Sequence, residues 1–268
     1  MTRAVYLNGA TLMTTTTPRV LEIAREIGYA GIEARAERLL LDPSEIRATA
    51  DEARPNEILT LNGVALTVRP DGRMDRPLIE VDLAARLQIC RDLGSPYLLA
   101  IPPRAPGLET GSAIPGTRDA LELARERADG FGVGIAFEFL GFGDCPINSP
   151  AIAAETVDGI DGVDLVLDSC HWHASGSQSL DDYPVERVIL VHLNDAPNKP
   201  PREIEDADRM FPGSGVIRLP ELLSGLQKRG YQGPWSLETF NPDYWKQDPG
   251  TVARSGFEAV TRLFTLNS

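Results

Sequence analysis

Cysteine is scarce in this chain of 268 residues, and the few cysteines present are scattered. Cys90, Cys145 and Cys170 are an odd number and show no CxxC spacing. This pattern argues against a disulfide framework and against a closed, cysteine-type structural zinc site. Because unpaired cysteines are typical of reducing compartments, we expect a cytoplasmic protein.

Long apolar segments are also missing. The longest runs, such as VDLVLDS and PYLLAIPP, fall far short of the about 20 residues that a helix needs to cross a bilayer. The first residues, MTRAVYLNGATLM, contain no apolar core of signal-peptide length. We therefore expect no secretion signal and no membrane partner, in agreement with a cytoplasmic location.

Positive charge is in deficit. Lysine and arginine together number 26 against 39 acidic residues, which gives a net charge of −13. A nucleic-acid-binding protein needs a basic face to neutralise phosphates, so we expect no nucleic-acid partner. The lysines are Lys199, Lys228 and Lys246, and none lies in the core of a predicted strand, which argues against Schiff-base aldolase chemistry.

The chain does contain a regular alternation of apolar β-type runs and helix-period segments. The predicted strands are residues 4–8, 31–35, 57–62, 96–101, 133–139, 163–168, 188–193 and 235–240. The predicted helices are residues 18–27, 43–53, 77–93, 116–128, 219–229 and 249–264. The connection around residues 179–186 is too short for a full helix.

This alternation predicts an α/β fold, a single (β/α)8 TIM barrel that forms one domain over residues 1–268. The alternative is a doubly wound sheet. That fold usually has a glycine-rich phosphate loop after its first strand, but NGATLM contains no GxGxxG.

Polar ligand-type residues stand at the ends of the last four predicted strands. They are Glu138, Asp168, His192 and Glu238. Because the carboxyl ends of the strands meet at one rim of a barrel, we expect these four side chains to converge. Three carboxylates and one imidazole suit one divalent metal ion per chain, with Mn as the first choice and Mg, Co or Zn as alternatives.

Other polar residues near these strand ends favour a substrate site. His171 lies on the loop that leaves the sixth strand, in a position to contact a substrate oxygen. We expect His173 to be structural or peripheral, and Trp172 and Trp235 either to wall the site or simply to pack. Arg209 precedes a GSG turn before a helix. Metal, carboxylates, His and Arg together suit proton abstraction next to a carbonyl, through an enediolate.

Nearly the whole chain resembles a known family, through GYAGIEAR, GVGIAFEFLG, LVLDSCHWHASG, VHLNDAP and the stretch from DRMFPGSG to ETFNPDYW. It is similar to the xylose isomerase-like TIM barrels, the sugar phosphate isomerase/epimerase superfamily, and within it most similar to the inosose (2-keto-myo-inositol) isomerases of inositol catabolism. Cys170 stands where that family pattern has an aromatic residue.

The resemblance implies a metal-dependent isomerase that acts on a cyclic polyol ketone or ketose. It implies metal ligands at Glu138, Asp168, His192 and Glu238, and substrate contacts at His171 and Arg209. Glu138 and Glu238 would also be catalytic proton carriers. A homodimer or tetramer is the family-level expectation.

Alternative functions share the same residues. A ketose 3-epimerase or a 3-keto-glycoside isomerase differs only in where the proton returns or in the substrate, and a dehydratase would expel a hydroxyl group from the same enediolate. Endonuclease IV-like DNA repair requires a trinuclear zinc cluster, which three histidines and a charge of −13 disfavour. A sensor without catalytic activity is the remaining option.

Overall fold

The strands close into a barrel. The computed structural model describes residues 3–267. Its strands are Val5–Asn8 (β1), Gly31–Arg35 (β2), Ile58–Ala65 (β3), Tyr97–Ile101 (β4), Gly134–Glu138 (β5), Val163–Asp168 (β6), Val188–Leu193 (β7) and Trp235–Leu237 (β8). They pair in parallel in chain order, and β8 pairs with β1. The predicted (β/α)8 TIM barrel is confirmed and the doubly wound sheet is excluded. Residues 1, 2 and 268 of the predicted domain lie outside the described residues.

Helices surround the barrel. They are Thr17–Ile27 (α1), Ala36–Leu41 (α2), Ser44–Glu52 (α3), Arg76–Leu93 (α4), Thr110–Asp129 (α5), Pro150–Val157 (α6), Ser169–Ala174 (α7), Leu219–Lys228 (α8) and Pro249–Leu266 (α9). Proline in the first turn and glycine past the end delimit several of them. In α1, for example, Pro18 lies in the first turn, and Gly28 ends the helix at a φ of 106° with its N–H bonded to the Ala24 carbonyl.

Several predicted boundaries require correction. Helix α5 begins at Thr110 and contains Pro115 in its interior, whereas the predicted helix began at residue 116. Strand β3 continues past Gly63 to Ala65 through a register shift against β4, and β8 ends at Leu237 rather than at residue 240. Glu238 therefore follows its strand directly.

Two layers of side chains fill the half of the barrel interior that lies toward the carboxyl ends of the strands. Leu99, Ala136, Val166 and Leu190 form a small apolar cluster of strand residues. Because side chains alternate along a strand, residues two positions later point to the same side. Glu138, Asp168 and His192 are those residues on β5, β6 and β7, so they form a polar layer directly above the apolar one.

The short connection predicted between β6 and β7 contains α7, a helix of six residues. Asp168 caps this helix, because its side chain accepts a hydrogen bond from the backbone N–H of His171. The cap therefore determines where His171 lies relative to Asp168. No helix within residues 3–267 is long and apolar enough to cross a membrane.

Candidate active site

The four predicted ligands converge at the carboxyl rim of the barrel. Glu138, Asp168, His192 and Glu238 each offer one ligand atom, and these atoms lie within 4.8 Å of one another. All four residues are buried, with at most 3% of their surface exposed. A group of this composition and spacing is one that could hold a metal ion.

The imidazole of His192 lies between carboxylates on both of its edges. Its Nδ1 is 2.9 Å from Glu138 Oε1 and 3.3 Å from Glu238 Oε2. Its Nε2 is 3.1 Å from Glu33 Oε1, on the opposite edge of the ring. Nδ1 therefore faces the predicted ligands, whereas Nε2 faces a residue that the sequence had not indicated.

Arg209 connects the carboxylates to the predicted substrate histidine. The guanidinium is buried, and its Nη1 donates to Asp168 Oδ2 at 3.0 Å and to Glu238 Oε2 at 2.6 Å. Its Nη2 lies 3.0 Å from His171 Nε2. The arginine, predicted from its position before a GSG turn, thus lies beside three of the candidate residues.

The contact with Arg209 determines the tautomer of His171. A guanidinium only donates hydrogen bonds, so His171 Nε2 must accept and the proton of the neutral ring resides on Nδ1. Burial lowers the pKa of His171 to about 4, with the Arg209 charge contributing and the Asp168 charge opposing. His171 Nδ1 is buried without a hydrogen-bond partner, so its N–H is available to a substrate oxygen.

The segment that carries Arg209 is organised by a buried aspartate. The Asp195 carboxylate accepts hydrogen bonds from the backbone N–H groups of Gly213 and Ile217. Gly215 allows the close approach, since a Cβ there would lie 2.1 Å from the Ala196 carbonyl oxygen. Asn241, after β8, donates to the Arg209 carbonyl and fixes the other side of the segment.

Buried charges at this site do not cancel. Among the described residues, four carboxylates meet two guanidiniums there. The carboxylates belong to Glu33, Glu138, Asp168 and Glu238, and the largely buried guanidiniums to Arg35 and Arg209. Asp206, which is partly exposed, adds a further carboxylate 2.8 Å from Arg209 Nη2. Negative charge is therefore in excess at this site, and a bound cation would compensate it, because buried charge is stable only when it is paired. The donor set and the charge both fit a dication.

The pKa shifts reflect the same excess. Burial raises the pKa of Glu138 to about 7, against the opposing effect of His192 and with the help of the charges of Glu238 and Asp168. Burial alone would lower the pKa of His192, but the surrounding glutamates raise it well above its usual range. Burial also raises the pKa of Glu238, although His192 and Arg209 oppose the shift. The cluster therefore attracts positive charge.

A cavity of about 360 Å³ opens above these residues. Glu138, His171, Arg209 and Glu238 contribute polar groups to its lining. Its apolar lining comes from Leu99, Ile101, Leu140, Phe142 and Phe240. A cavity of this size accommodates a small sugar or cyclitol and presents both apolar and polar surfaces to it.

Three aromatic or histidine side chains lie elsewhere. Trp172 is buried and its Nε1 donates to the Gln178 carbonyl, while Trp235 packs edge-on against Tyr231. Both tryptophans therefore pack in the core, and the aromatic wall of the cavity comes from Phe142 and Phe240 instead. His173 is half-buried in α7 and is not brought into the four-residue group.

Sequence reasoning missed the residues on β1, β2 and β3 that support the site. Glu33 is fully buried, and Asn8 Nδ2 lies 3.0 Å from Glu33 Oε1 and 2.9 Å from Glu238 Oε1. Asn62 donates to Glu33 as well. A signal was present: Leu-Asn recurs near the ends of β1, β3 and β7, where the asparagine in the last case, Asn194, donates to Asp168.

Known proteins resemble this chain over nearly its full length. The family model described as xylose isomerase-like TIM barrel matches residues 21–263. Inosose isomerase from Halalkalibacterium halodurans is 29% identical over 98% of each chain, and that from Bacillus velezensis is 31% identical over 91% of each chain. A crystal structure of the IolI protein with a bound zinc atom superposes with a TM-score of 0.89 over 99% of both chains, at 25% identity.

Proposed function

The chain belongs to the xylose isomerase-like TIM-barrel family, and on that premise we propose that it is an inosose isomerase. It would move a proton next to the carbonyl of a cyclic polyol ketone such as 2-keto-myo-inositol. The observation that carries the proposal is the placement of two buried glutamates, Glu138 and Glu238, within 3.3 Å of one imidazole nitrogen at the floor of a sugar-sized cavity. The similarity to inosose isomerases over almost the entire chain supports the choice of substrate class.

Glu138, Asp168, His192 and Glu238 would hold one divalent cation. Bound there, the cation would act as a Lewis acid that stabilises the negative charge of an enediolate. Mn remains the first cation to test, and Zn stands beside it because the similar IolI structure contains zinc. Asp168 has a second function in this arrangement, because one of its oxygens caps α7 while the other contacts Arg209.

Glu138 and Glu238 would carry the proton. Each has a carboxylate oxygen near His192 Nδ1, and both glutamates line the cavity above this nitrogen. Both carboxylates are buried and line the cavity, so a substrate bound there can exchange a proton with them. One glutamate would abstract the carbon-bound proton next to the carbonyl, and the other would deliver a proton to the former carbonyl carbon. The hydroxyl proton of the first carbon would pass to the former carbonyl oxygen, so that the carbonyl group moves by one carbon and the composition is unchanged.

His171 and Arg209 would orient the substrate. The Nδ1–H of His171 is a buried donor without a partner, and a ketone or hydroxyl oxygen would satisfy it. Arg209 holds that tautomer through its bond to Nε2 and at the same time holds the Glu238 carboxylate. The proton carrier and the substrate donor are thereby fixed relative to each other, which is what efficient proton transfer requires.

The proposal is tested by incubating the protein with inososes, ketohexoses and 3-keto glycosides in D2O, with Mn²⁺ or Zn²⁺ added. We expect an inosose to exchange its carbon-bound hydrogen next to the carbonyl and to yield an isomer of unchanged composition, both followed by NMR. Carbon-bound hydrogen that never exchanges would contradict the proposal. Loss of water from the product would identify a dehydratase instead.

A further inference from the structure

Glu33 lies inside the barrel, and every acceptor site of its carboxylate has a hydrogen-bonding neighbour. The residue is in the middle of β2 and has no exposed surface. Its oxygens accept from Asn8 Nδ2 at 3.0 Å, Thr60 Oγ1 at 2.6 Å and Asn62 Nδ2 at 2.9 Å. The fourth neighbour is His192 Nε2, at 3.1 Å from the nearer oxygen. A carboxylate has about four acceptor sites, so Glu33 has none left for a cation or a substrate.

Three fixed donors keep Glu33 ionised. The amide groups of Asn8 and Asn62 and the hydroxyl group of Thr60 all donate to its oxygens, and Asn62 also donates to Thr60 Oγ1, so that the Thr60 hydroxyl proton points to Glu33. An ionised carboxylate can accept a hydrogen bond but cannot donate one. The contact with His192 therefore requires a proton on Nε2.

A proton on Nε2 decides which nitrogen of His192 binds a cation. In a neutral imidazole, one nitrogen donates and the other offers its lone pair. The lone pair is then on Nδ1, which lies 2.9 Å from Glu138 Oε1 and 3.3 Å from Glu238 Oε2. The ring edge that faces the other proposed ligands is the edge with the free lone pair.

We propose that Glu33 is a positioning residue that fixes the ring orientation and the tautomer of His192, so that Nδ1 serves as the cation ligand. This inference rests on the cation of the proposed function, and it assigns a task to the first three strands. The proposed ligands lie on β5, β6 and β7 and directly after β8. Asn8, Glu33 and Asn62 lie on β1 to β3 and form a hydrogen-bonded group behind them. Asn8 extends the support to Glu238, because its single amide nitrogen contacts both glutamates. Partners of this kind on metal-bound histidines typically change metal affinity by about 10- to 100-fold.

The tautomer can be measured directly, since the chain has only three histidines. Long-range ¹H–¹⁵N NMR of the Zn²⁺-loaded protein, with His171→Gln and His173→Gln variants for assignment, distinguishes protonated Nε2 from protonated Nδ1. We expect His192 to carry its proton on Nε2. A Zn²⁺-loaded protein in which His192 carries its proton on Nδ1 would overturn the proposal, and this measurement depends on no variant of Glu33.

The contribution of Glu33 to affinity is tested with Glu33→Gln, which keeps the shape of the side chain and removes its charge. We expect the dissociation constant for Zn²⁺, measured by competition with a chelating dye, to rise about tenfold or more. Glu45→Gln is the matched control, because Glu45 is another buried glutamate, bonded to Arg38 away from the cavity. It should leave the dissociation constant unchanged. Wild-type affinity in Glu33→Gln would overturn the proposal.

Both measurements use Zn²⁺ alone and no substrate. If the protein failed to isomerise any inosose, the tautomer and the affinities would still be decided by these experiments. Conversely, if Glu33→Gln bound Zn²⁺ with wild-type affinity, the proposal for Glu33 would fail, but the proposed isomerase activity would not be contradicted. The two proposals therefore fail separately.

Discussion

Replacing Glu238 with glutamine should strongly slow proton transfer while the protein stays folded. The Glu238 carboxylate accepts two hydrogen bonds, from Asn8 Nδ2 at 2.9 Å and from Arg209 Nη1 at 2.6 Å. A glutamine fits the same volume and would keep its oxygen on Arg209, the shorter and charge-assisted contact. Its NH2 group would then face Asn8 Nδ2, so that one donor opposes another.

In Glu238→Gln, the expected loss of stability is small, whereas the expected loss of rate is large. The unmatched donor pair should cost about 1–3 kcal/mol of stability, which a domain with a net stability of about 5–15 kcal/mol tolerates. Loss of a positioned proton carrier should slow isomerisation by about 100- to 10,000-fold. That corresponds to about 3–5 kcal/mol on the activation barrier.

The assay is conversion of an inosose to its isomer, followed by NMR at saturating cation, because isomer formation requires both proton transfers. Asp168→Asn is the matched comparison, because it removes one proposed cation ligand and leaves both glutamates in place. It should weaken cation binding, yet at saturating cation retain far more isomerisation than Glu238→Gln. If Glu238→Gln formed the isomer at the wild-type rate, Glu238 could not be a proton carrier.

Two further changes test the scaffold around the site. Burial would raise the pKa of Glu45, but hydrogen bonds, chiefly from Arg38, lower it; this stabilisation is present above the unfolded-state pKa and is lost as pH falls through the folded-state pKa. Urea unfolding should therefore find Glu45→Gln less stable than wild type by about 1–3 kcal/mol at pH 7 and nearly as stable as wild type in acid. An equal loss of stability at both pH values would refute a stabilising role of the ionised Glu45 carboxylate. At Gly141, a Cβ would lie 2.2 Å from the His171 carbonyl oxygen. Gly141→Ala should therefore displace α7 and reduce kcat/KM by about tenfold or more. Gly111→Ala is the control, because a Cβ at Gly111 would meet open space, and it should leave kcat/KM unchanged.

Much of the barrel could be predicted from the sequence. The observed strands Gly31–Arg35, Val163–Asp168 and Val188–Leu193 agree with the predicted ranges, because short runs rich in apolar β-type residues mark buried strands. The ends of α1 and α4 were equally clear from Gly28 and Gly94, both with positive φ. Short helices were not predicted. Helix α2, for instance, directly follows β2 without a glycine or proline to mark the boundary.

The candidate ligands could be predicted from the sequence, but Glu33, which contacts the candidate ligand His192, could not. Strand ends on one rim converge for any closed barrel, so Glu138 and His192 could be grouped before their geometry was known. Glu33 lies inside a strand rather than at its end, and its function depends on the distance from β2 to His192 across the barrel interior. Sequence periodicity gives the face on which a side chain lies, but it does not give distances between strands that are not adjacent.

The central claim is that Glu138, Asp168, His192 and Glu238 grip one divalent cation. Anomalous X-ray scattering from crystals grown with Zn²⁺ tests it most directly. We predict one strong peak per chain, at about 2.0–2.2 Å from one oxygen of each carboxylate and from His192 Nδ1. A peak away from these four residues, no peak among them, or a cluster of three zinc ions would contradict the account.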